Sequence, residues 1–236
     1  MSTALTLISS MATRHLLADL AQAHARAGGP ETRIESVGGV DAARRVCGGE
    51  VFDAVVLASD AIARLDADGR LRPGSIRPIA DSSVAIAVQA GAPRPDTGSE
   101  AALRAAVLGA RAIGYSTGPS GTALMALFER WGLTDALKDR LVQARPGVPV
   151  GSLVASGEVE LGFQQLSELM DLPGITLLGG MPPGLEIVSR FSGAVPVTAA
   201  RPEAAQALLD FLASPASDES KRRHGMQAVR DPQDGR

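Results

Sequence analysis

Within its first 65 residues the chain repeats one pattern three times: a short apolar run, a tip of serine or glycine, then an amphipathic stretch. Residues 4–8 lead to Ser9-Ser10 and a helical pattern through Leu16, Leu17 and Leu20. The segment TRIESV leads to Gly38-Gly39 and a helix over residues 41–47, and FDAVVLAS closes on Ser59 before a helix over residues 60–65. Serine ahead of a periodic apolar stretch marks a helix start, and Gly28-Gly29-Pro30 and Gly48-Gly49 mark helix ends. Strands and helices alternating at this length require a parallel sheet, with right-handed crossovers.

The alternation then pauses and resumes. Residues 83–89 form a β-rich run, broken by Pro93 and Pro95, after which a helix over residues 99–108 and the strand AIGYS restart the pattern. TGPSGTALMALFERWGL reads as a small-residue loop opening a second long helix. VPVGSLVASGEVELGFQQ reads as a helix through Leu153 and Val154, a turn at Ser156-Gly157 and a strand to Phe163. GITLLGG and LEIVSRFSGAVPVTA are further strands. RPEAAQALLDFLASP is an amphipathic helix with Ala204, Leu208, Phe211 and Leu212 on one stripe, and residues 218–223 form a last helix before Gly225. The tail RDPQDGR reads as disordered.

Composition excludes several classes of function. Hydrophobic residues make up 45% of the 236 and aromatics only 3%, so the core is built from Ala, Val, Leu and Ile, as suits helices on a parallel sheet. The formal net charge is -3, which leaves no basic field to attract nucleic acid. The single cysteine, Cys47, permits no intrachain disulfide and reads as an inert helix-end residue. No window approaches the roughly 20 apolar residues of a membrane span, so no stable membrane insertion is expected. The start MSTALTLISS lacks a basic n-region and a cleavage site. This predicts a cytoplasmic protein as written, or a periplasmic one if a signal segment was removed. Three widely separated histidines and one cysteine predict no metal site, and no cofactor is expected. GPSGT carries Thr122 where a nucleophile elbow needs its final glycine, and no phosphate-loop lysine follows it.

The recurring functional element is a strand end that delivers small hydroxyl or glycine residues to a helix start. It occurs at Ser9-Ser10, Gly38-Gly39 and Ser59, and at Ser116-Thr117 with Ser120-Gly121-Thr122. Ligands of open α/β sheets sit beyond the carboxyl ends of the strands. Helix starts offer unpaired N–H groups and a partial positive charge, so several together make an anion site that needs no lysine.

LTLISSMATRHLLADL, SVGGVDAARRV, FDAVVLASDAIARL, AIGYSTGPSGTALMALFERWGL, GEVELGFQQLSEL and PEAAQALLDFLASPASDESKRRHGM follow one another along nearly the whole chain. In that order they resemble the molybdate-binding-protein-like branch of the type II periplasmic solute-binding superfamily. The resemblance implies an α/β, two-lobed type II periplasmic-binding-protein fold, each lobe a mainly parallel sheet with flanking helices, and a ligand cleft between lobes. Residues 1–82 plus 192–236 would form lobe I and 83–191 lobe II, with hinge crossings near Ser83 and Ser192. The resemblance also implies a small anionic ligand, hinge closure around it, and an ABC permease as partner if the protein is exported. Its ligand-facing positions fall on Ser10, Gly39, Ser59, Ser116 and Gln164, and Ser9, Ser83 and Ser120 join them as candidates. The chain departs from the pattern where Gly38-Gly39 replaces serines, and where Arg14 with His15 and Arg190 lie near the first helix start and the second crossing. An arginine at the site would hold a carboxylate bidentately.

Some members of this branch are isomerases of small polycarboxylates, aconitate isomerase among them. Moving a proton between carbons next to carboxylates requires a base and anion clamps. Tyr115, beside Ser116 at a strand end, is the catalytic candidate for that alternative, followed by His15 and Glu186.

Overall fold

The computed structural model describes residues 4–229. The chain opens with β1 (Leu5–Ser10), a 3-10 turn (Met11–Thr13) and α1 (Arg14–Arg26), followed by β2 (Thr32–Val37), α2 (Gly39–Cys47), β3 (Ala54–Ala58) and α3 (Ser59–Ala67). A long strand, β4 (Arg77–Gln89), leads to α4 (Glu100–Gly109), β5 (Ile113–Tyr115), α5 (Pro119–Arg130), α6 (Thr134–Leu137) and β6 (Leu141–Gln143). Then come α7 (Val150–Ala155), β7 (Leu161–Gln165), α8 (Leu166–Leu169), β8 (Ile175–Gly180) and β9 (Val188–Ala194). The last elements are α9 (Pro202–Ala213), α10 (Asp218–Arg223) and β10 (Met226–Gln227). The chain divides into two compact units, Met1–Ser82 with Arg190–Arg236, and Ser83–Ser189.

In the first unit β1 lies between β2 and β3, parallel to both. The strand order continues from β3 to β9 and β4, with β9 antiparallel to β3 and β10 antiparallel to β4. Successive strand side chains point to opposite faces, and this alternation feeds two cores. Leu5 and Leu7 of β1, with Val56 of β3, pack against Leu16, Leu17 and Leu20 of α1 and Leu208, Leu209 and Leu212 of α9. Ile8, Val55 and Leu57 face the other way, against Ala42 and Val46 of α2 and Ile62 and Leu65 of α3. Asp53, 4% exposed, ties three elements together just before β3. Its carboxylate accepts from the Thr6 amide at 2.9 Å, the Thr6 hydroxyl at 3.2 Å and the Arg201 amide at the start of α9 at 3.0 Å.

In the second unit β7 pairs parallel to β5 and antiparallel to β4; β6 extends the sheet parallel to β5, and β8 pairs with β4. One face is covered by Leu103 and Val107 of α4 and Leu124, Leu127 and Phe128 of α5. The other carries Val150 and Val154 of α7 and Leu169 of α8. The Ser99 hydroxyl accepts from the Ala102 amide at 3.2 Å and so caps α4, which begins one residue later than the serine.

The alternating segments fold as read, with differences at the margins. β4 starts at Arg77, six residues ahead of the apolar run, because its first half carries polar residues that pair within the first unit. The antiparallel strands β4 and β9 and the short β6 carry no periodicity signal that separates them from a parallel run. On α9 the buried stripe is Ala205, Leu208, Leu209 and Leu212, while Ala204 and Phe211 lie at its edge. The C-terminal residues 230–236, read as a disordered tail, lie outside the described residues.

Asp53→Ala removes a buried charged acceptor and leaves the Thr6 and Arg201 amides without it, at a cost of about 3 kcal/mol. The measurement is the urea midpoint, expected to fall at unchanged m-value.

Candidate anion-binding strand ends

Because β1, β2 and β3 are parallel, their carboxyl ends lie along one edge of the first unit's sheet, at Ser10, Val37 and Ala58. Each is followed at once by a helical element: the 3-10 turn leading to α1, then α2, then α3. Ser10 ends β1 in extended conformation and is 8% exposed, and its Oγ makes no hydrogen bond within the protein. Gly39, first residue of α2, lies against it: a Cβ added there would sit 3.7 Å from the Ser10 Cβ. No side chain caps the start of α2, since its cap residue is Gly38. A buried unpaired hydroxyl thus stands beside helix amides that no side chain satisfies.

Ser59, first residue of α3, holds its Oγ 2.7 Å from the Oγ of Ser192 on β9. When two hydroxyls pair, one donates to the other and the acceptor's own proton stays free to donate. Ser9 points to the opposite face from Ser10 and is fully buried, its Oγ 2.9 Å from that of Ser36 on β2, so it joins two strands. The carboxylates in the first turns of α2 and α3 are held along their own helices: Asp41 accepts from Arg44, and Asp60 from Arg64 at 2.8 Å.

In the second unit the end of β5 brings Ser116 and Ser120 together, Oγ to Oγ 2.9 Å, across the loop that opens α5. That approach depends on Gly121, where an added Cβ would come within 1.9 Å of the Ser116 carbonyl oxygen. Gln164, buried on β7, has its Oε1 accepting from the Val150 amide at 2.7 Å and so caps α7. Its neighbour Gln165 is also buried, 3% exposed, and its Oε1 has no partner. Tyr115 is half-buried and packs at the edge of the second unit's core, while Ser83 is half-buried on β4 at the first residue of this unit.

The remaining candidates have partners of their own. Arg14 is exposed, its Nη2 2.9 Å from the His15 Nε2. Arg190 on β9 donates from Nε and Nη2 to the two oxygens of Asp81 on β4, at 2.9 and 3.0 Å, a bidentate ion pair. The Glu186 carboxylate accepts from the Gly184 amide at 2.9 Å. Ser192, Ser36 and Gln165 were not singled out as site residues by the sequence. Each is a small or polar residue inside a strand-like run, and only strand pairing shows what it faces. Among the described residues no group of three or more His, Cys, Asp or Glu is arranged to hold a metal ion. No helix among them is long and apolar enough to cross a membrane. In each unit the donors at the strand ends are neutral hydroxyls and backbone amides, which suit acceptor oxygens.

Comparison with known proteins adds a family, a relative and two solved structures. The model of the bacterial extracellular solute-binding protein family matches residues 5–227. An aconitate isomerase from a Pseudomonas species is 35% identical over 235 residues, covering 96% of this chain and 88% of that protein. Among solved structures, the periplasmic molybdate-binding protein of Azotobacter vinelandii superposes with a TM-score of 0.79 at 21% identity, covering 96% of this chain and 100% of that one. The sulfate-binding protein SubI of Mycobacterium tuberculosis H37Rv gives 0.75 at 18% identity, covering 98% and 88%. These two structures establish the fold, a two-lobed periplasmic-binding-protein architecture.

Gly121→Ala forces the first turn of α5 away from the Ser116 carbonyl and is expected to destabilise the protein by about 2 kcal/mol. Thermal unfolding reads the loss, and Gly118→Ala, where an added Cβ meets open space, serves as the mild control.

Proposed function

This chain belongs to the family of bacterial extracellular solute-binding proteins, and on that premise we propose that it binds a small anion, an oxyanion or organic carboxylate, and closes around it by hinge motion. The observation that carries this reading is Ser10: a buried hydroxyl without a protein partner, next to the uncapped start of α2 at Gly39. A buried donor left unpaired costs about 1–3 kcal/mol, and a bound acceptor oxygen would recover it. Ser59, polarised by Ser192, and Ser116, polarised by Ser120, are the further donors in this reading. Arg190 is ion-paired with Asp81, and this reading draws its donors from hydroxyls and backbone amides. An ABC permease is the partner in this reading if the protein is exported.

The test is thermal unfolding against molybdate, tungstate, sulfate and a panel of di- and tricarboxylates. A ligand at 100 times its Kd adds about 2.7 kcal/mol of stability, a Tm rise on the order of 5–10 °C for a chain of this size. Ser10→Ala loses no protein hydrogen bond, so it should leave the unliganded Tm within about 1–2 °C while weakening the ligand about tenfold or more. If no anion raises the Tm, the binding reading fails.

A second reading has a specific observation behind it, the 35% identity to an aconitate isomerase across nearly the whole chain. In that reading the same strand ends clamp the carboxylates of a small polycarboxylate, and Tyr115 at the end of β5 moves the proton. Ultraviolet monitoring of cis- and trans-aconitate with purified protein tests it. Tyr115→Phe should keep the ligand-induced Tm shift and lose turnover by about 100-fold or more. Absence of turnover in the unmodified protein removes this reading and leaves the first intact.

A further inference from the structure

β2 is the outer strand of the first unit's sheet; it pairs with β1 and with no other strand among the described residues. The Leu5 amide donates to the Glu31 carbonyl at 2.7 Å, which sets the phase of the parallel ladder. In that phase the N–H and C=O groups of Arg33, Glu35 and Val37 turn toward β1, and those of Thr32, Ile34 and Ser36 turn outward. The open edge therefore presents three residues' worth of backbone donors and acceptors. Exposed edges of this kind are usually blunted by charge. Here the charges are of opposite sign and two residues apart, Arg33 and Glu35, both exposed on one face. A groove of about 560 Å³ runs beside the strand, lined by Ala18, Ala21, Gln22 and Ala25 of α1 and by Thr32 and Ile34 of β2. At its wall the Thr32 hydroxyl is buried and has no hydrogen-bond partner.

We propose that this edge pairs with a second copy of the chain, β2 against β2 in antiparallel register about a two-fold axis at Ile34. The segment Thr32-Arg33-Ile34-Glu35-Ser36 is self-complementary in that register and in no neighbouring one. Ile34 lies opposite Ile34 of the second copy as a hydrogen-bonded pair, which the outward direction of its backbone groups requires. Arg33 lies opposite Glu35, and Glu35 opposite Arg33, as non-hydrogen-bonded pairs whose side chains approach most closely. The unpartnered Thr32 hydroxyl lies opposite Ser36, a residue of matching size and hydrogen-bonding capacity. A one-residue slip would put each strand's alternation out of step with the other's, and a two-residue slip would set Arg33 against Arg33 or Glu35 against Glu35. Glu35 already accepts from Arg45 of α2, so the Arg33 of the second copy completes a three-membered charged row. Symmetry repeats every contact, as an isologous interface demands, and the inference does not depend on the anion-binding reading.

Sedimentation velocity on the full chain over a dilution series tests the pairing. The expected result is a monomer–dimer equilibrium whose dissociation constant rises about tenfold or more in Arg33→Glu and in Glu35→Arg, since each reversal converts two attractive cross-strand pairs into repulsive ones. Mixing the two variants in equal amounts restores the dimer as a heterodimer, because the wholly acidic edge of the first variant then meets the wholly basic edge of the second. That rescue also shows that both variants are folded. A monomer at every concentration, single reversals that leave the equilibrium unmoved, or a mixture that stays monomeric overturns the proposal.

Discussion

A strand whose two faces are both buried commits everything around it. β1 sends Leu5 and Leu7 to one side and Ile8 to the other, and all three are almost wholly enclosed. The first side needs α1 and α9 and the second needs α2 and α3. Burying each of these side chains contributes about 1.5–3 kcal/mol, and neither face could be covered by the chain segments adjacent in sequence alone. The helix α9, from the far end of the chain, closes the first core, and Asp53 fastens its start to β1 through Thr6.

The same constraint produces the polar edge. Here β1, β2 and β3 run parallel and are joined by helical crossovers, so successive strand ends and helix starts fall along one edge. Apolar residues give way to Ser9-Ser10 at the buried carboxyl end of the strand, and there the two serines part company. The face alternation that separates Leu7 from Ile8 also turns Ser9 toward Ser36 and leaves Ser10 beside Gly39. Two adjacent hydroxyls of the same chemistry thus take a structural and an unsatisfied role by a rotation of half a turn.

Serine pairs recur at these ends, Ser59 with Ser192 and Ser116 with Ser120. One pair is local, four residues apart at the start of α5. The other spans 133 residues and joins the end of β3 to β9. The local one was legible in TGPSGT, where a strand end, a small-residue loop and a helix start are contiguous. Ser192 was not, because its meaning depends on which strand lies next to β3. Arg190 illustrates the opposite case. As a sequence it is a cation near a chain crossing, and Asp81, 109 positions away, turns out to accept from its Nε and Nη2. Gln164 behaves alike: its carboxamide caps α7, which begins at Val150.

By itself the sequence determined the alternation of strands and helices, the tips of serine and glycine that end each strand, and the family likeness that runs through the chain in order. These are local properties: hydrophobic period, cap chemistry and glycine placement act over a few residues. Tertiary structure alone decided the direction of β4 and β9, the partners of Ser192, Arg190 and Gln164, and the isolation of the Ser10 hydroxyl. Strand pairing and side-chain hydrogen bonding join residues far apart in the chain, and no local pattern records which distant group will fill a donor or leave it open.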